Sequence, residues 1–101
     1  MVDSKFRKQY EALGENRYVY FHKYGTELLA KYHGTTKAGR NLAITTMFLG
    51  IGMEPKPFSK IQAQFGISQM SIARIVTRSL KALENIKKQE EFKAQKALIK
   101  Q

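Results

Sequence analysis

Polar and apolar positions follow a helical period along most of this chain. Phe6, Tyr10 and Leu13 share one face of a segment that reads as helix from Ser4 to Leu13, with Ser4 as N-cap and Gly14 as stop. Residues 15–33 carry Tyr18, Phe21, Leu28, Leu29 and Tyr32 at helical spacing. Tyr18-Val19-Tyr20-Phe21 has high strand propensity, but Glu27-Leu28-Leu29-Ala30-Lys31 is strongly helical and the chain offers no second strand for pairing. The pattern predicts helix here, divided near Gly25. Thr36 to about Ile51, preceded by Gly34, is the next predicted helix, with Leu42, Ile44, Met47, Phe48 and Ile51 on its apolar face. Gly50, Gly52, Pro55 and Pro57 then bar continuation.

The segment from Phe58 to Arg78 reads as a helix, a turn at Gly66-Ile67-Ser68 and a second helix, the pattern of a helix-turn-helix. Gly66 supplies the left-handed backbone of the turn, and Ile67 anchors it. Ser68 is placed to cap a helix beginning near Gln69. The free N–H groups at that helix start also suit a phosphate. Ile72, Ile75, Val76, Ser79, Leu80, Leu83 and Ile86 form one stripe of the second helix. Met70, Arg74, Thr77 and Lys81 lie nearly opposite with Arg78 beside them, and no acid interrupts that face. Beyond Ile86 the apolar residues thin to Phe92, Ala94, Ala97 and Leu98, which predicts an extended helix with a frayed end or a kinked pair.

The expected fold is therefore all-α: a small bundle of about five helices with a helix-turn-helix and an extended C-terminal helix. One domain is expected over residues 1–101, with N-terminal helices in 1–57, the helix-turn-helix in 58–84 and a basic helical tail in 85–101. Its core is small, so a partner subunit would help to stabilise it.

Charge narrows the partners. The chain carries 18 Lys and Arg against 8 Asp and Glu, a formal net charge of +10. Such a balance favours a polyanion: DNA, RNA or an acidic membrane surface. The charge is densest after residue 57, where the helix-turn-helix and tail lie. No apolar stretch approaches the roughly 18 residues needed to span a bilayer. The polar N-terminus does not read as a signal peptide, so a cytoplasmic protein without a membrane partner is expected. The absence of cysteine excludes disulfides, thiol catalysis and thiolate metal sites.

Ile61, Phe65-Gly66-Ile67-Ser68-Gln69, Ile72, Arg74-Ile75 and Arg78-Ser79-Leu80-Lys81-Ala82-Leu83 resemble the DNA-binding segment, region four, of bacterial sigma factors. The segment is similar also to sigma-like regulators of bacteria, plasmids and phages. The resemblance covers roughly residues 58–84. It implies an all-α fold, duplex DNA as partner and no cofactor. In that family a small residue usually stands four before the glycine, where this chain has Gln62 followed by Ala63. The promoter-melting and polymerase-core-binding regions of a sigma factor have no counterpart here, so a small regulator fits better than a stand-alone sigma factor.

The DNA-contact set expected is Ser68, Gln69, Met70, Ser71, Arg74, Thr77, Arg78 and Lys81. Gln69 lies in the first turn, where recognition helices reach base edges. Glutamine pairs with adenine and arginine with guanine; Thr77, Arg78 and Lys81 suit phosphates or the groove edge. A homodimer would double the site read. The expected role is transcriptional regulation of a bacterial, plasmid or phage operon by occupying an operator or promoter, with RNA polymerase as a further candidate partner. The alternative that keeps DNA binding is an accessory role in plasmid replication, copy control, conjugation or phage development. A helical module docking on the transcription machinery is the reading without DNA.

Other constellations are weak. His22 and His33 have no convincingly spaced Asp or Glu partners for a metal. Gly50-Ile51-Gly52 lacks the rest of a phosphate loop. No Ser-His-Asp set or carboxylate pair suggests an enzyme. Tyr18, Tyr20, Phe21, Tyr24 and Tyr32 read as core or dimer-interface residues rather than a stacking platform for single-stranded bases. Tyr20 and Tyr24, near Arg17 and Lys23, are the two that could reach a DNA backbone. The mixed-sign tail from Lys87 onward reads as a solvated helix face, with phosphate contact or dimerisation as the sharper alternatives.

Overall fold

The computed structural model describes the backbone of residues 2–33 and 36–99 and the side chains of 5–33 and 36–96. Among these residues there are five helices and no strand: α1 Val2–Glu11, α2 Arg17–Lys31, α3 Thr36–Leu49, α4 Phe58–Phe65 and α5 Gln69–Ile99. Helix α5 packs against all four others and forms the axis of the bundle. Its inward stripe of Ile72, Val76, Ser79, Leu80, Leu83 and Ile86 is buried as the period requires, with Ile75 at the margin. It continues as one helix to Ile99, without the kink that was the alternative.

Three local expectations are corrected. Helix α1 begins at Val2, so Ser4 lies inside its first turn and is not its N-cap. Helix α2 runs unbroken through Gly25. A Cβ at Gly25 would stand 3.7 Å from both Leu42 methyls, an ordinary contact, so the packing of α2 on α3 carries the helix through a glycine that costs roughly 1 kcal/mol in propensity. The buried residue of α2 is Tyr20, with Phe21, Tyr24 and Leu28 half-buried; Tyr18, Leu29 and Tyr32 are exposed. Gly34, expected to precede α3, lies outside the described residues.

Phe48 is the centre of the core. It is fully buried, with the Phe6 ring edge-on at 5.8 Å and the Phe58 ring at 4.6 Å. The loop after α3 makes this geometry. Gly50 has φ +73, and a Cβ there would lie 2.5 Å from Pro55 Cγ and 2.9 Å from the Met53 carbonyl, so both torsion and space demand glycine. The Lys56 N–H donates to the Met47 carbonyl at 2.9 Å, returning the chain to α3 and setting Phe58 against Phe48.

A chain of hydroxyls crosses the bundle. Thr45 Oγ1 donates to the Asn41 carbonyl at 3.0 Å, which uses its only proton. Ser79 must then donate to Thr45 across 3.1 Å, and Tyr24 to Ser79 across 3.4 Å. Thr45 and Ser79 are both sealed from solvent, and this order of protons satisfies them. At the surface, Lys23 Nζ meets Glu90 Oε1 at 2.6 Å and ties α2 to the distal part of α5. The hydrogen bond lowers the Glu90 carboxyl below its ordinary range and raises the Lys23 ammonium above its own. The attraction is therefore whole across neutral pH. It is lost as pH falls through the lowered Glu90 pKa or rises through the raised Lys23 pKa.

Candidate nucleic-acid interface

Helices α4 and α5 and the turn between them have the boundaries that local chemistry dictates. Pro57, extended at φ -72 and ψ 163, precedes α4, where its missing N–H is harmless. Phe58 and Ile61 face inward. Gly66, at φ +66 and ψ 34, ends the helix in the left-handed region, and its N–H donates to the Gln62 carbonyl at 2.8 Å. A Cβ at Gly66 would meet nothing within 4 Å, so the demand for glycine is torsional. Gln62 is half-buried between a sealed Ile61 and an exposed Ala63. The interior position is taken by Ile61, and the longer Gln62 side chain stays at the edge of the helix crossing.

Ser68 caps α5. Its Oγ accepts the Ser71 N–H at 3.1 Å, its carbonyl accepts the Ile72 N–H at 3.1 Å, and its hydroxyl pairs with that of Ser71 at 3.0 Å. The Gln69 and Met70 N–H groups have no carbonyl within the helix to bond to. No acid stands in this first turn. Ser68→Ala is expected to cost about 0.5–2 kcal/mol in urea denaturation, with faster hydrogen exchange at the Ser71 amide.

The eight residues expected to meet DNA separate into three groups. Met70, Arg74, Thr77 and Lys81 are exposed along the outer side of α5, Gln69 is exposed as its first residue, and Met70 at 64% exposure belongs to no core. From Met70 to Lys81 the row extends about 17 Å at the α-helical rise. Ser68 and Ser71 are engaged with each other in the cap, and Ser71 is half-buried, so their first task is to hold the helix start. Arg78 is exposed but turns toward α2 and α3, lining a cavity with Tyr24, Tyr32 and Lys37.

Two further cations join this surface. Lys60 is exposed in the first turn of α4, and its period opposite Phe58 and Ile61 was the signal available in sequence. Lys37 comes beside Arg78 only through the packing of α3 on α5, which no local pattern announces. Tyr20 is buried and cannot reach a DNA backbone, and Tyr24 is half-buried with its hydroxyl directed to Ser79. His22 and His33 are exposed, and no group of three or more His, Asp or Glu that could hold a metal occurs among the described residues. No helix among them is long and apolar enough to cross a membrane. The chain matches no known protein-family model, no characterised protein and no solved structure.

Proposed function

We propose that this chain binds double-stranded DNA in a sequence-specific manner, with the first turns of α5 in the major groove, and acts as a small regulator of transcription. The observation that carries the reading is the division of α5. From Gln69 to Leu83 its inner side is sealed against four helices while its outer side offers Arg74, Thr77 and Lys81 without a carboxylate, and Gln69 is exposed at its start. A helix of roughly 10–12 Å diameter fits a groove of about 12 Å width. A structural hairpin has no need of an acid-free outer face. The left-handed turn and the serine cap hold the first turn of α5 in place relative to α4, which in a helix-turn-helix lies across the phosphate backbone. Lys60 on α4 suits that contact.

Selection of bound duplexes from a random pool tests the reading. A shared motif is expected, and two inverted copies in it would identify a two-fold dimer. Retention of random sequence only, with attraction that vanishes at moderate salt, would favour a helical module that docks on another protein. Mapping the motif on the source genome separates transcription control from replication, conjugation or phage development.

A further inference from the structure

A cavity opens between α2, α3 and α5. Its volume is about 240 Å³, and it lies where Ala38 and Ser79 put small side chains at a three-helix junction. Leu28 and Ile75 give it apolar walls, and the rings of Tyr24 and Tyr32 also line it. Ala38 and Ser79 are buried, whereas Lys37 and Arg78 are exposed, so the two cations stand at the solvent end. Lys31 adds a third positive charge, 5.6 Å from the Tyr32 ring centroid. No carboxylate among the described residues lines the cavity.

The inner end has its own polarity. Tyr24 spends its proton on Ser79, so its oxygen is left as an acceptor. Arg40 Nη2 donates to Asn41 Oδ1 at 3.4 Å, which leaves the Asn41 amide N–H groups as donors. A hydroxyl can answer both at once. Apolar walls, an inner donor-acceptor pair and an outer pair of cations together describe a small ligand site.

We infer that this cavity binds a small aromatic hydroxy-acid monoanion, with its ring between Leu28 and Ile75, its hydroxyl toward Tyr24 and Asn41, and its carboxylate toward Lys37 and Arg78. Arg78 also borders the basic outer row of α5. An occupant that holds the guanidinium withdraws it from a phosphate and weakens duplex binding, a consequence that rests on the DNA reading above.

The test uses 4-hydroxybenzoate and its neutral analogue 4-hydroxybenzamide, with heteronuclear NMR titration of the protein in the absence of DNA. Saturable shifts confined to residues around Tyr24, Ala38 and Ser79 are expected with the acid, and about tenfold weaker binding with the amide, the worth of one charge-assisted hydrogen bond. Arg78→Gln, a surface change that leaves the core intact, should weaken the acid by a similar factor. Ala38→Leu, which fills the cavity, should abolish binding. Absence of saturation, or equal binding of acid and amide, overturns the site whatever the protein does with DNA. With a selected duplex, the acid should raise the duplex Kd of the wild type and leave that of Arg78→Gln unchanged. An equal effect on both overturns the coupling to DNA.

Discussion

Phe48→Ala is expected to lower the free energy of unfolding by about 3–5 kcal/mol, the largest effect of any single side chain in this bundle. Phe48 is wholly enclosed and packs against one ring from α1 and one from α4. Alanine leaves a cavity between three helices, and two remaining rings cannot close it without moving their backbones. A domain of this size has a total stability of roughly 5–15 kcal/mol, so the variant is close to unfolded at ordinary temperature. At roughly 4–8 °C per kcal/mol the thermal midpoint should fall by well over 10 °C. Phe92→Ala is the control: that ring is 64% exposed, and its removal should stay within about 0.5 kcal/mol. Chemical denaturation of the two variants under the same conditions decides the matter. Equal losses would mean that the core is not centred on Phe48.

Arg74→Ala is expected to weaken binding to a selected duplex by about 1–3 kcal/mol, a loss of roughly five- to 150-fold, while binding to random duplex changes far less. The reason is position. Arg74 lies one turn into α5 on the exposed row, where a guanidinium can present two donors to the acceptor edge of guanine. Lys81 is exposed on the same row two turns further, where a helix docked by its first turns would leave the base edges. Lys81→Ala should weaken selected and random duplexes alike and flatten the dependence of log K on log salt by about one unit, because one phosphate contact is lost. Quantitative gel shifts across a salt series measure both. An equal effect of Arg74→Ala on the two duplexes would place Arg74 on a phosphate and move base readout elsewhere.

The ends of α4 and α5 were legible in sequence because each is decided by a neighbour a few residues away. Gly66 takes a torsion that other residues resist, Ser68 closes on Ser71, and Pro57 has no N–H to lose. The face of α5 was legible for the same reason: its period is clean, with isoleucine, valine and leucine inside and arginine, lysine and threonine outside. Helix α2 was not. Aromatic and apolar residues occur on most of its sides, so periodicity cannot choose between Tyr18 and Tyr20; the position of α5 does, and it buries Tyr20. Gly25 is a weak helix former by itself, and the contact of α2 with α3 at Leu42 holds the helix through it. The Tyr24–Ser79–Thr45 hydroxyls and the Lys37–Arg78 pair unite residues from three helices, and the sequence contains no trace of those meetings.

The central place of α5 has a consequence during synthesis. The four helices made first can meet through α3, which touches each of the other three, but they lack the stripe of Ile72, Val76, Leu80 and Leu83 that α5 brings to the core. Phe6, Tyr10, Ile44 and Phe48 therefore leave the ribosome with much of their apolar surface uncovered. At roughly 5–20 residues per second, residues 69–86 take about 1–4 s to make, and the nascent chain stays sticky until they emerge. The helix that presents Arg74 and Lys81 also completes the core, so a chain cut short before it lacks both those side chains and the apolar stripe that seals the rings of α1, α3 and α4.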